Sequence, residues 1–104
     1  MVPVDKEGTP LHNALVWQDR RTIDQVEFIE KIIGNDKVYE ITGLTLDPYF
    51  SAPKILWFKD NKPEIYKKTH KFLLVSDFII YKLTGNYFTD FSKLNCKLKE
   101  KHNF

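Results

Sequence analysis

Residues 48–61 read P-Y-F-S-A-P-K-I-L-W-F-K-D-N and combine two prolines with four aromatic residues. Ser51 followed by Pro53 predicts the start of a helix, because a proline in the first turn forfeits no helical hydrogen bond. Ile55 and Phe58 then recur at helical spacing, which places both on a face directed at a core. The stretch therefore predicts a helix that enters the core of the fold.

The other aromatic residues of this stretch need a separate interpretation. Trp57 adjoins the predicted core face, and we expect it to be mainly buried. Tyr49 precedes the helix, in a turn formed by Asp47 and Pro48, so helical periodicity does not place it. A tyrosine on a turn can present its ring and its hydroxyl to a cleft, as sugar and polyol sites require. Tyr49 is therefore a candidate for a ligand site.

The most regular helical pattern lies upstream. Thr22 and Gln25 match a capping box, in which two side chains satisfy the free N–H groups of the first helical turn. Gly34 is the expected C-terminal glycine. The apolar face is predicted to comprise Ile23, Val26, Ile29, Ile32 and Ile33. The remaining pattern predicts a hairpin of residues 2–4 and 11–17 turning at Gly8, a short helix at 63–69, a buried strand at 72–75, and a helix capped by Ser76 and closed by Gly85.

Length and composition narrow the class of protein. A chain of 104 residues with 42% hydrophobic residues can form at most one small domain. One cysteine and three scattered histidines predict neither an internal disulfide nor a metal site, and no apolar run is long enough to span a membrane. The net charge of +2 comes from residues 93–104, which hold four lysines and one glutamate, so nucleic-acid binding is the weakest hypothesis. A cytoplasmic location fits these features best.

The segment W-Q-D-R-R, residues 17–21, is the most polar candidate for a site. It lies at a predicted strand-to-helix junction, where side chains often face a cleft. Asp19 and Arg21 have two interpretations: a local ion pair, or a polar group beside the Trp17 indole that orients a hydroxylated ligand. No catalytic residue is identified by the pattern.

Four segments in order resemble the N-terminal domain of the FGGY carbohydrate kinases, the family of xylulokinase, glycerol kinase and gluconokinase. They are A-L-V-W-Q-D-R-R-T (14–22), I-T-G-L-T-L-D-P-Y-F-S (41–51), the aromatic stretch from residue 49 to 61, and F-L-L-V-S-D-F-I-I-Y-K-L-T-G (72–85). The resemblance implies an α/β fold, a partial ribonuclease-H-like (actin-like ATPase) domain whose incomplete sheet is packed with helices. It also implies ATP-dependent phosphorylation of a sugar or polyol, with Mg²⁺ as a further cofactor.

The resemblance assigns roles to four residues. Trp17 and Tyr49 match substrate-binding positions, Tyr49 for a glycerol-like acceptor, while Asp19 and Arg21 match positions that shape the pocket. The family's D-x-G-T phosphate hairpin and its catalytic aspartate have no match in this chain, so the nucleotide site is expected to be absent and no catalytic residue is assigned.

Two functions follow as expectations. Residues 1–92 would be a fragment of the N-terminal, substrate-binding domain of such a kinase, inactive alone, and residues 93–104 a disordered lysine-rich tail. Alternatively, the chain would be a non-catalytic binding or assembly module that complements a split kinase or self-associates through exposed sheet edges. Neither hypothesis involves a membrane or nucleic acid.

Overall fold

The computed structural model describes residues 1–90. The predicted lysine-rich tail at 93–104 lies outside the described residues. The elements in chain order are β1 (Val2–Val4), α1 (Ile23–Ile32), α2 (Asn35–Thr42), α3 (Ser51–Asn61), α4 (Pro63–Lys68), β2 (Lys71–Leu73) and α5 (Val75–Thr84).

The sheet within residues 1–90 has two antiparallel strands, β1 and β2. Val2 pairs with Leu73 and Val4 pairs with Lys71. Val2, Val4 and Leu73 are buried together and form a small core, against which side chains of α5 pack. The five helices of the described chain, together with so small a sheet, confirm the predicted α/β architecture with an incomplete sheet.

The predicted hairpin is only partly correct. The turn forms at Gly8, whose φ of 78° suits glycine, and the Asp5 carboxylate accepts hydrogen bonds from the backbone N–H groups of Glu7 and Thr9. Residues 11–17, however, form no strand. One bridge joins Val4 to Pro10, and the N–H groups of Leu11 and Leu15 donate to the carbonyl oxygens of Pro3 and Met1. Prolines at positions 3 and 10 remove N–H donors from both sides of the ladder, which explains the irregular return segment.

Helix α1 is confirmed, but its predicted capping box is wrong and its predicted buried face is only partly correct: Ile29 is buried, and Val26 and Ile33 are half-buried. The Thr22 hydroxyl makes no capping bond within residues 1–90, and Gln25 Nε2 donates to Asp60 Oδ2 of α3 at 2.9 Å instead. Ile23 and Ile32 are exposed. The buried positions are Thr22, Gln25 and Ile29. Helix α1 therefore packs against α3 with Gln25, rather than with Ile23 and Ile32, facing inward.

The other helices begin close to their predicted positions. Helix α3 starts at Ser51, but Phe50 occupies the cap position, and no side-chain capping bond is present at this end in the described chain. Helix α5 likewise starts one residue before Ser76, and the Asp77 carboxylate accepts from the Leu74 N–H at 3.3 Å. Gly85 closes α5 with a φ of 72°. Leu74, two residues before the predicted cap Ser76, occupies the cap position of α5. The predicted helix starts are thus correct to within two residues, whereas the predicted capping side chains are wrong.

The core side of α3 is confirmed at Phe58, which is 0% exposed. Its ring lies 5.6 Å from that of Phe72 and 5.1 Å from the His12 ring. Ile55, predicted on the core face, and Trp57, expected to be mainly buried, are both half-buried. Residues 35–42, for which no element was predicted, form α2.

The strand predicted at 72–75 lies at Lys71–Leu73, and the short helix predicted at 63–69 is α4. Within residues 1–90, every helix is too short and too polar to traverse a bilayer.

Candidate functional site

Two loops meet at one end of α1 and α3. The first, residues 16–22, leads into α1, and the second, residues 43–50, joins α2 to α3. Arg20 of the first loop donates to Asp47 of the second, with Nη1 and Oδ1 2.8 Å apart. This ion pair joins the two loops that carry the predicted site residues.

Trp17 and Tyr49 lie against each other across this junction. Their ring centroids are 5.9 Å apart and the planes are tilted by 54°. Trp17 is 60% exposed and Tyr49 is 45% exposed, so both rings contact each other and solvent. Phe50 meets the other side of Tyr49 edge-on at 4.9 Å. We call the Trp17–Tyr49 pair the aromatic wall. The two residues predicted to bind a ligand are therefore brought together.

Asp19 and Arg21 form the local ion pair that was one of their two interpretations. Arg21 Nη2 lies 2.8 Å from Asp19 Oδ2, and Arg21 Nε donates to the same carboxylate at 3.0 Å. These bonds lower the pKa of Asp19 below its usual value, the Arg21 side chain being the main cause. The Arg21 guanidinium also lies 4.9 Å from the centre of the Trp57 ring, a cation–π distance. The pair links the first loop to α3.

Asp47 fixes the second loop. Its Oδ1 accepts a hydrogen bond from the Tyr49 N–H at 2.8 Å in addition to the bond from Arg20. The pKa of Asp47 is consequently lowered, first by the Tyr49 N–H and then by Arg20. A carboxylate that accepts from the backbone in this way holds an Asx turn.

Lys54 is the residue of this region whose role the sequence patterns missed. It lies on α3 and is 3% exposed, which is unusual for lysine. Its Nζ donates to the carbonyl oxygens of Pro48 and Tyr49, each at 2.6 Å. Burial lowers the pKa of Lys54, and the Asp19 and Asp47 carboxylates oppose that shift. A signal was available, because Lys54 stands four residues before Phe58 and hence on the same helical face.

The chemistry of the site is that of binding. An exposed pair of rings can cover the C–H face of a sugar or polyol, while fixed polar groups nearby can orient its hydroxyls. Asp19 and Asp47 each pair with an arginine, and their lowered pKa values suit a permanent negative charge rather than proton transfer. Within residues 1–90, the His, Cys, Asp and Glu side chains form no group of three or more that could hold a metal ion.

A shallow hollow adjoins the second loop. It is mostly apolar, and its lining includes Ile29, Val38, Leu44, Leu46, Phe50 and Pro53. Trp17 and Tyr49 do not line it. The polar residues Thr42, Thr45 and Asp47 also line the hollow. Because the two rings predicted to bind a ligand lie outside it, the aromatic wall is the better candidate for a sugar site.

The sequence model of the N-terminal domain of the FGGY family of carbohydrate kinases matches residues 1–96. The chain belongs to this family. Its members are ATP-dependent kinases that act on sugars or polyols.

Two curated relatives show the range of similarity within the FGGY family. A xylulose kinase of Staphylococcus xylosus is 40% identical over 90 residues, an alignment that covers 86% of this chain and 19% of the relative. A glycerol kinase of Thermococcus kodakarensis is 48% identical over 92 residues, covering 85% of this chain and 18% of the relative. The chain therefore spans about a fifth of the length of these kinases.

Solved structures of the family share the fold. A ligand-bound xylulose kinase from Lactobacillus acidophilus superposes with a TM-score of 0.76 at 24% identity, over 83% of this chain and 18% of that one. The incomplete sheet of residues 1–90 is thus part of an FGGY kinase domain, which confirms the predicted actin-like ATPase fold class.

Proposed function

We propose that this chain supplies one side of the substrate pocket of an FGGY kinase, with Trp17 and Tyr49 as the surface on which a sugar or polyol lies. The single observation that carries the proposal is the contact of these two rings at 5.9 Å while Trp17 stays 60% exposed and Tyr49 45% exposed. Buried core aromatics lack such exposure, and isolated surface aromatics lack such a partner.

Asp19 and Arg21 have a supporting role in this proposal. Their ion pair joins the loop carrying Trp17 to Trp57 of α3 through the guanidinium of Arg21. They thereby shape the pocket and do not contact the substrate.

The acceptor is a small polyhydroxylated molecule of the glycerol or xylulose type. The glycerol kinase of T. kodakarensis and the xylulose kinase of S. xylosus match nearly the same part of this chain, at 48% and 40% identity. The aromatic wall suits both, since an aromatic ring stacks on any apolar C–H face and the hydroxyls must be read by other groups.

ATP and Mg²⁺ are the cofactors of the proposed activity. The described residues carry no metal-binding cluster, and their four glycines stand at separate turns instead of in one phosphate loop. We therefore assign no residue of this chain to ATP or Mg²⁺ and propose that this chain does not phosphorylate a substrate by itself. The domain boundary at residue 92, the disorder of residues 93–104 and a cytoplasmic location stay predictions.

A titration with two readouts tests the proposal. The chain labelled with ¹⁵N at its two tryptophans gives one indole resonance each for Trp17 and Trp57, assigned with W17F. Addition of glycerol, xylulose or gluconate should move the Trp17 resonance saturably, and a coupled ATP assay should detect no turnover. Saturable ligand binding that leaves the Trp17 resonance unchanged, or phosphorylation by the purified chain, would contradict the proposal.

An assembly module is the second candidate function. The observation that favours it is a set of exposed apolar side chains on α1 and α5, namely Phe28, Ile32, Ile79 and Leu83. Sedimentation of the wild-type chain and of L83K separates the two candidates: a monomer with ligand binding supports the pocket, whereas an oligomer that L83K dissociates supports assembly.

A further inference from the structure

Burial of the Lys54 ammonium costs free energy unless hydrogen-bond partners replace the lost water. Transfer of a charged amine out of water is unfavourable, and lysine is almost never fully buried without partners. Here the partners are two carbonyl oxygens, those of Pro48 and Tyr49, at 2.6 Å each. Short charge-assisted bonds of this kind are stronger than bonds between neutral groups. The buried charge therefore binds one turn of the backbone, at Pro48 and Tyr49.

Pro53 explains why the Tyr49 carbonyl is available to Lys54. If α3 began earlier, the N–H of residue 53 would donate to this carbonyl, four residues before it. Proline has no N–H, so that bond cannot form. Helix α3 instead starts at Ser51, and the lysine of its first turn folds back to the oxygen that the proline cannot reach.

Tyr49 is consequently held at both of its peptide groups. Its N–H donates to Asp47 at 2.8 Å, and its C=O accepts from Lys54 at 2.6 Å. Asp47 is in turn held by Arg20 of the loop that carries Trp17. The backbone at Tyr49 has little freedom left, and the direction of its Cα–Cβ bond, which sets where the ring can lie, follows from it.

We infer that Lys54 is a positioning residue for the substrate pocket, holding the Tyr49 turn so that its ring stays against Trp17. This inference rests on the proposed function of the aromatic wall. Lys54 does not itself touch the ligand, because its two short bonds point into the backbone of the turn. Its effect reaches the substrate through Tyr49.

The test compares Lys54→Met with Lys59→Met in the full chain. Lys59 lies on the same helix and is exposed, so its loss controls for the change in charge and helix composition. Y49A gives the position of the Trp17 indole resonance when the neighbouring ring is absent. We expect Lys54→Met to move the Trp17 resonance toward its Y49A position and Lys59→Met to leave it in place. A Trp17 resonance at the wild-type position in folded Lys54→Met would overturn the inference.

Ligand binding provides the second readout. Loss of the charged bonds should weaken binding of glycerol or xylulose by about tenfold in Lys54→Met, with Lys59→Met unaffected. Should the wild-type chain bind none of these compounds, the proposed function fails, while the comparison of indole resonances still decides the role of Lys54.

If Lys54→Met does not fold, the same bond is measured in the wild-type protein. A slowly exchanging lysine ammonium signal that is coupled to the Tyr49 carbonyl carbon identifies the Lys54 bond and supports the inference. A rapidly exchanging ammonium without such coupling overturns it.

Discussion

Arg20 and Asp47 form a salt bridge at 2.8 Å between two loops that are 27 residues apart in sequence. The bridge joins the loop that carries Trp17 to the loop that carries Tyr49. An exposed ion pair alone contributes little to stability. Asp47 does more, because it also accepts the Tyr49 N–H. The two partners of one salt bridge should therefore have unequal effects when removed.

Asp47→Ala should lower the free energy of unfolding by about 1 to 2 kcal/mol, because the Tyr49 N–H loses a charged acceptor. Arg20→Ala should cost less than about 1 kcal/mol, because the guanidinium is exposed to water. Urea denaturation followed by circular dichroism measures both values. Equal losses for the two variants would show that the bond to Tyr49 contributes nothing.

The lowered pKa values of Asp19 and Asp47 predict an acid-sensitive loop junction. The pKa of each carboxyl is lower in the folded chain than its usual value of 3.8. Each carboxylate therefore stabilises the folded chain fully at pH values above 3.8. The contribution is lost as the pH falls through the lower folded pKa. The unfolding free energy, measured at about pH 6 and about pH 3, should fall less in a D19N/D47N variant than in the wild type. An identical fall in both proteins would contradict the assignment.

Gly8 and Gly43 offer a matched pair of substitutions. Both have positive φ, 78° and 73°, so alanine at either position should cost about 1 kcal/mol from the backbone alone. A Cβ at Gly8 would also clash with the Tyr81 hydroxyl, whereas one at Gly43 meets no atom of the described chain within 4 Å. Gly8→Ala should therefore be clearly more destabilising than Gly43→Ala. Equal melting temperatures would show that Tyr81 moves aside freely.

Phe58→Ala should reduce the unfolding free energy by about 3 to 5 kcal/mol, since it empties a fully buried site against Phe72 and His12. Phe28→Ala on α1 is the control, because that ring is exposed and should cost less than about 1 kcal/mol. Thermal unfolding of both variants measures the difference. A stable Phe58→Ala protein would place the core elsewhere.

The part of the fold that the sequence predicts is set by the backbone chemistry of single residues and by the size of single side chains. Pro53, Gly34 and Gly85 mark helix ends because their backbone chemistry permits few alternatives, and the structure agrees at all three. Phe58 could be placed in the core because a large apolar ring at helical spacing has few other stable positions.

The parts that could not be predicted depend on contacts between elements. Gln25 is buried because Asp60 of another helix accepts its amide N–H, a partner that periodicity within α1 does not reveal. Lys54 is buried because two carbonyls of a preceding turn accept its protons. Hydrophobic patterning assigns both residues to the surface, since it treats polarity and exposure as equivalent.

The pairing of Trp17 with Tyr49 as ligand-binding candidates came from the resemblance to the FGGY kinases. Residue chemistry alone made Tyr49 a candidate by its position on a turn and left Asp19 and Arg21 with two interpretations. The contact between the two rings could not be predicted, because it accompanies a salt bridge of Arg20 with Asp47 whose partners lie in different loops.

The affinity of the wild-type chain, Tyr49→Ala and Tyr39→Ala for glycerol and xylulose tests the central claim most directly. Tyr39 lies on α2 and is 59% exposed, so its removal matches the loss of a surface tyrosine outside the aromatic wall. Tyr49→Ala should weaken binding about tenfold or more, whereas Tyr39→Ala should change the Kd less than about twofold. Equal affinities for the wild type and Tyr49→Ala would contradict the central claim.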